Sequence, residues 1–354
     1  MGILSNLIKS VNLIQPSPNV LGVDIGSSSI KVVELEEKSG VISLITYGEI
    51  QLGPYDGKAL GAVVHLNSKQ EQEALVDVIR ESAVKARQAV FAMPLSASFI
   101  STTTLDVDEY ADLSAQVRVE ARKIIPASLS EVTLDWAELE AVAGQTGRPV
   151  LIAAIQNSAI ERLSVLMQFV GLQDSPTEIE CFSTSRTVPS NVSTIVMDFG
   201  ASSAKMYISN DGVLNRMHRI NVGGTQVTQQ FAELQETDFE TAELKKIQIT
   251  DESAEYVSLK GVYSKVYGRA LREFRQVIDH YQSAHDIQIN KIYICGGSGL
   301  YVGFNKMIYD SIGITTEYIN PFTNVAYPAF MEDAMKEIGP SFVPALGAAL
   351  RHFE

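Results

Sequence analysis

One pattern constrains this 354-residue chain more than any other: a fourteen-residue stretch that occurs twice. Val20 to Val33 reads VLGVDIGSSSIKVV, and Thr194 to Tyr207 reads TIVMDFGASSAKMY. Asp24 aligns with Asp198, Gly26 with Gly200, Ser28 with Ser202, Ser29 with Ser203 and Lys31 with Lys205. A self-match of this kind divides a chain into two related halves. Each copy predicts a hairpin made of a buried strand, a tight glycine turn and a second strand. The strands are expected at about 20–25 and 30–36, and again at about 193–198 and 203–209. Further strands are expected at 40–48 and, after the turn Asp211-Gly212, at 213–220.

The remaining pattern alternates. Helical spacing of apolar residues predicts helices over 71–87, 109–125, 159–170, 261–284 and 341–351. Short apolar runs predict strands over 89–93, 133–139 and 150–156. Such alternation belongs to α/β lobes. The length exceeds that of one ordinary domain, and 45% hydrophobic with 20% charged residues suits a globular chain with a sizeable core.

Charge narrows the partners. The net charge is −14 and no basic run is present, which speaks against nucleic acid. Cys181 and Cys295 lie far apart without metal-ligand or disulfide-framework spacing, as expected of core thiols in a reducing compartment. The five histidines also lack metal-ligand spacing. No apolar run reaches the ~18–20 residues that span a bilayer. Met1 to Gln15 lacks the basic start and small-residue cleavage site of a signal peptide. Its residues Ile3, Leu7, Val11 and Ile14 share a helical stripe, which reads either as a membrane-surface or partner-docking helix or as a loose arm ended by Pro16 and Pro18.

The turn Asp-x-Gly-x-Ser-Ser suits phosphate. Glycine lets the backbone approach closely, successive N–H groups form an anion-binding nest, and serine hydroxyls add donors. The aspartate repels phosphate and so needs another role. Holding Mg²⁺, usually through water, is the natural one, which assigns Asp24 and Asp198 to the metal. Two such turns facing each other would clamp a polyphosphate. A third motif, Lys291 to Gly303 (KIYICGGSGLYVG), is a buried strand running into a glycine turn that could pass beneath a flat ring. Alone it would read as a plain strand-to-helix turn.

The order hairpin, hairpin, strand-Gly-Gly resembles the actin, Hsp70 and sugar-kinase superfamily. The resemblance implies that Asp24, Gly26, Ser27, Ser28, Ser29 and Lys31 form a first phosphate site for ATP with Mg²⁺. It implies that Asp198, Gly200, Ser202 and Ser203 form a second, and that Gly296, Gly297 and Ser298 meet the adenosine. Glu243 with Lys246 is similar to the ribose- and adenine-contacting pair of the relative FtsA; the same spacing also makes a solvated i,i+3 salt bridge.

Within that superfamily the chain resembles the PilM family of type IV pilus assembly proteins. The carrying residues are VRVEAR at 117–122 with Ile125-Pro126, EVTLDW at 131–136, Asn221-Val222-Gly223-Gly224 leading to Thr228, and the ending from Ile338 to Arg351. Gly223 and Gly224 thereby join the expected cofactor contacts. The implied fold is two-lobed, actin-like (ribonuclease H-like) α/β. The implied layout is an N-terminal arm at 1–18, a first lobe at 19–89, an inserted subdomain at 90–171 and a connecting helix at 172–190. The second lobe follows at 191–225 and 290–337, with an outer subdomain at 226–289, and a C-terminal helix at 338–354 returns to the first lobe.

The implied function is a cytoplasmic, ATP-switched protein held at the inner membrane by the N-terminal cytoplasmic tail of a PilN-like protein. Other pilus platform proteins, the assembly ATPase and self-association are further expectations. FtsA has a C-terminal membrane anchor, and none is expected after Glu354. Hydrolysis is expected to be slow or absent in isolation. Glu180 is the one candidate to orient water, against a plain helix-start glutamate. A small-molecule kinase of the superfamily is the alternative, although no further aspartate recommends itself as its base.

Overall fold

The structure is a computed structural model that describes residues 18–108, 112–140, 146–173, 177–190 and 192–354. The stripe from Ile3 to Ile14 and the expected helix start at Glu109 lie outside the described residues.

The first hairpin forms as the repeat predicts. Strands β1 (Asn19–Ile25) and β2 (Ser29–Lys38) pair antiparallel, and the Gly26 N–H donates to the Ser29 carbonyl at 2.9 Å to close the turn. β3 (Val41–Gln51) extends the meander. Helix α1 (Ser68–Glu81) starts at an Asn67–Gln70 capping box and buries Ala74, Leu75 and Val78. It stops before the expected residue 87 because Ala83 takes a left-handed φ of 51°. β4 (Gln88–Met93) then runs parallel to β1.

Next comes a three-stranded antiparallel sheet with its helices: β5 (Ser98–Leu105), α2 (Leu113–Ile124), β6 (Val132–Glu138), β7 (Arg148–Gln156) and α3 (Asn157–Phe169). The strand order is β5-β7-β6. The expected inserted subdomain starts at residue 90, inside β4, which pairs with β1 in the first sheet. That unit has a small core of its own and shares a second with the first lobe. On β7, Val150, Ile152 and Ala154 pack with α2, while Leu151, Ala153 and Ile155 pack into the first lobe together with Leu163 and Leu166 of α3. The period-2 alternation of a strand serves two cores at once.

β8 (Glu178–Ile179) completes the first sheet in the order β3-β2-β1-β4-β8, and α4 (Glu180–Arg186) leads to the second lobe. There β9 (Thr194–Phe199), β10 (Ala204–Asn210) and β11 (Val213–Ile220) repeat the meander. Helices α5 (Gly224–Leu234), α6 (Phe239–Gln248) and α7 (Tyr256–His285) follow. β12 (Lys291–Cys295), α8 (Phe304–Ile312) and β13 (Thr315–Tyr318) finish the sheet in the order β11-β10-β9-β12-β13. The two sheets thus match position for position, three antiparallel strands and two parallel ones. The sequence repeat is a repeat of topology.

After α9 (Glu332–Ile338), helix α10 (Val343–Leu350) lies between β1 and α4. The contact is backbone on backbone: a side chain at Gly22 would strike the Ala345 carbonyl, and one at Gly347 would strike the Ser183 carbonyl. Small residues at these points let the helix close against both neighbours.

Candidate functional site

The two hairpins bring their tips together between the sheets. The Ser27 hydroxyl donates to the Ser202 hydroxyl at 2.9 Å across the gap. Asp24 faces Lys31 across the first hairpin, and Asp198 faces Lys205 across the second. Lys31 Nζ donates to Ser29 Oγ at 2.7 Å and pairs with Glu49 of β3 at 3.1 Å. Lys205 Nζ instead donates to Glu180 Oε2 at 2.6 Å and Asp198 Oδ2 at 3.0 Å. Glu180 opens α4, and its Oε1 accepts the Leu95 N–H at 2.8 Å.

Electrostatics follow from this crowding. Burial pushes the Asp24 carboxyl up to about 7. The lysines Lys31 and Lys205 pull it down, and Glu180 and Asp198 push it further up. Burial opposes the charge on Lys205, but Asp198 and Glu180 outweigh it and hold the ammonium well above its ordinary range.

The third motif locks onto the second hairpin. Gly296 sits at φ 89°, where a side chain would meet Asp198 and the Phe199 carbonyl. Ser298 Oγ donates to the Gly200 carbonyl at 2.9 Å. The Gly224 N–H donates to the same carbonyl at 3.1 Å, and the Thr225 N–H to that of Ala201 at 3.0 Å. Gly223 presses on Ala201, and Gly224 on Ser298. Gly297 has open space where a side chain would go. Gly200, Ser202, Gly223, Gly224, Gly296 and Ser298 are therefore one contiguous group. Ser203 is buried at the start of β10, where its carbonyl accepts from Gly200.

Glu243 and Lys246 join that group, and the solvated salt bridge is corrected. Both side chains are buried; Lys246 Nζ donates to Glu243 Oε2 and to Thr228 Oγ1, each at 2.5 Å, and Thr228 also donates to Glu243. Lys246 lies 4.7 Å from the Tyr301 ring centroid. Burial pushes its pKa down, against the pull of Glu243. Across the gap, a side chain at Gly61 would touch Glu243, and Thr225 Oγ1 donates to the Gly61 carbonyl at 3.1 Å. The lobes therefore also meet at Gly61, beside the hairpins.

Sequence reasoning missed Glu49, Lys205 as a partner of Glu180, and Tyr301. Only Lys205 carried a signal, its alignment with Lys31. Among the described residues no three His, Cys, Asp or Glu side chains converge to hold a metal directly. The donor set of serine hydroxyls, glycine-turn backbone and the Lys31 ammonium suits a polyphosphate. Asp24, which is not committed to an ion pair as Asp198 is, suits the shell of a divalent ion.

Two cavities lie away from the hairpins. One of about 250 Å³ lies between α1 and α3, lined by Glu71, Gln72, Ser158, Glu161, Arg162 and Val165 among others. Its floor holds the Arg162–Glu71 ion pair at 2.5 Å. A smaller one lies between β5 and β11, where Arg216 donates to Thr102 at 3.0 Å.

The sequence profile of the family described as Type IV pilus assembly protein PilM matches residues 22–353. The chain belongs to that family. Three solved structures with similar folds place the architecture. One is a PilM-PilN type IV pilus biogenesis complex, 22% identical over 96% of this chain and 100% of that one, with a TM-score of 0.79. The ethanolamine utilization protein EutJ from Carboxydothermus hydrogenoformans is 17% identical over 95% and 90%, with a TM-score of 0.57. MreB5 of Spiroplasma citri bound to ADP is 12% identical over 95% and 96%, with a TM-score of 0.57. The fold is thus the two-lobed actin-like α/β fold. Membership in a pilus assembly family favours that reading over a small-molecule kinase. Among the described residues no helix is long and apolar enough to cross a membrane.

Proposed function

We propose that this chain is an ATP-binding, actin-like component of the type IV pilus platform, recruited to the inner membrane by the cytoplasmic tail of a PilN-like protein. The observation that carries the nucleotide half is the meeting of two equivalent hairpins at Ser27 and Ser202, each with an aspartate beneath its turn. Ser27, Ser28, Ser29, Ser202 and Ser203 offer hydroxyls to the phosphates, with Gly26 and Gly200 permitting close backbone approach. Lys31 supplies charge. Asp24 is the residue that would hold Mg²⁺ through water, and the ion would supply charge neutralisation at the phosphates. Gly296, Gly297 and Ser298 pass beneath the adenosine, with Gly223, Gly224, Glu243 and Lys246 at its edge. The relative bound to ADP supports this reading.

Hydrolysis is slow in this reading. Glu180 has both carboxylate oxygens engaged, one by Leu95 and one by Lys205, so it is held away from the role of orienting water. Nucleotide then acts as a switch of lobe position.

The partner half rests on the family and on the PilM-PilN complex among similar structures. The α1–α3 cavity lies between the first lobe and the added unit, and it offers an apolar wall at Val165 and Leu166 with Glu71 and Glu161 beside it. An extended tail carrying apolar anchors and some positive charge suits it.

Two measurements test the halves separately. Calorimetry with Mg-ATP should give binding that Asp24→Ala abolishes or weakens at least about tenfold; unchanged affinity rejects the site. Val165→Glu places a charge on a half-exposed wall and should leave ATP binding intact while abolishing capture of the PilN-like tail peptide from the same genome. Full-strength capture by V165E rejects the receptor.

A further inference from the structure

The two hairpins repeat in sequence and topology, but their lysines do different things. Lys31 reaches a hydroxyl and a half-exposed glutamate. Lys205 reaches two carboxylates that come from different elements: Glu180 from the start of α4 and Asp198 from the end of β9. Their distances are 2.6 Å and 3.0 Å, and the three side chains are only 12%, 7% and 6% exposed. A third carboxylate, Asp24, feels the charges of all three. The pocket thus holds two buried carboxylates on one ammonium, a pairing that gives both carboxylates a cationic partner without a metal.

Carboxylates buried this deeply require a cation or a proton. An oxygen cluster of this charge would satisfy the requirement with Mg²⁺ or Mn²⁺ if no side chain supplied it. Here the chain supplies it, from the residue that the repeat places opposite Asp198. The ammonium is bound through β10 and cannot diffuse away, so the site is filled whether or not metal is available.

We propose that Lys205 is a built-in cation that occupies the divalent-metal position of the second hairpin. Asp198 and Glu180 serve the ammonium, and any metal that accompanies nucleotide is left to Asp24. The sequence expectation of a metal role for Asp198 is thereby replaced. The proposal rests on the nucleotide reading only for that consequence, since occupancy of the position is tested without nucleotide.

The test compares wild type with Lys205→Met, which keeps the length of the side chain and removes its charge, and Lys205→Arg, which keeps the charge. Mn²⁺ binding is read by electron paramagnetic resonance without nucleotide, and thermal unfolding is followed with and without Mg²⁺. Wild type and K205R should bind Mn²⁺ weakly and unfold at temperatures that Mg²⁺ does not change. K205M should bind Mn²⁺ at least about tenfold more tightly and regain its lost melting temperature in Mg²⁺ but not in NaCl of equal ionic strength. If K205M does not fold in metal-free buffer, refolding with Mg²⁺ against NaCl asks the same question. The double variant K205M/E180Q, which removes one charge of each sign, should fold without metal and lose the gain in Mn²⁺ affinity. Equal Mn²⁺ affinity in wild type and K205M, or a K205M that no divalent ion stabilises or refolds, overturns the proposal. Calorimetry of ATP on wild type is scored separately, so a failure of nucleotide binding does not count against the cation.

Discussion

Asp24 and Asp198 stand at the same place in two hairpins, and their surroundings separate them. Asp198 has an ammonium at 3.0 Å, whereas burial pushes Asp24 up to about 7. A carboxyl whose folded pKa exceeds its unfolded value holds its proton more tightly in the folded chain. Its contribution to stability is therefore greatest in acid and falls as pH rises from about 4 to 7. Asp24→Asn removes that penalty. After allowance for the partial exposure of Asp24, the variant should gain about 2 kcal/mol more at pH 8 than at pH 5. Denaturant unfolding at both pH values checks this, and an equal gain at the two would contradict it. The hairpin residues were legible because two copies align and each explains the other. Glu49, Leu95 and Tyr301 were not, since each reaches the site from a strand, turn or loop whose approach no local pattern records.

Helix α10 is the element on which the two lobes depend. It follows the second lobe in the chain and packs on β1 and α4 of the first, and Gly347 touches the Ser183 backbone. Gly347→Val has no room to relax, because its obstacle is a carbonyl rather than a flexible side chain. We expect a loss of about 3 kcal/mol or more and a melting temperature lower by at least about 5 °C. A thermal scan within 1–2 °C of wild type (about 0.5 kcal/mol) would show that the helix is not so confined. Long elements with clear apolar spacing, such as α7 and α3, were expected within a few residues. β5 was not, because Ser98 to Leu105 is rich in serine and threonine and six of its eight residues are half-buried on both faces. α8, β13 and α9 were too short, at 9, 4 and 7 residues, to stand out.

Across the whole molecule, the gap between the lobes is bridged at Ser27–Ser202 and at Gly61–Thr225. A triphosphate lying between the hairpins has to part the first pair. Ser27→Cys with Ser202→Cys should form a disulfide on oxidation, since the two hydroxyls are already 2.9 Å apart. The oxidised variant should lose ATP binding at least about tenfold and recover it with reductant. Cys181 and Cys295 are buried and will not interfere. Retained affinity in the oxidised form would mean that nucleotide enters without separating the tips. The two-lobe plan was legible from the repeat. The closed contact was not, because it depends on how the lobes lean, which is set by side chains of both sheets in one core, among them Leu21, Phe91, Val196 and Tyr207.

That sharing has a mechanical side. Strand β7 lends one face to α2 and the other to the first lobe. Any pull applied to α3 or its groove is therefore handed straight to the core of the first lobe. The added unit works as a rivet through that lobe: it cannot be drawn out while the lobe stays whole.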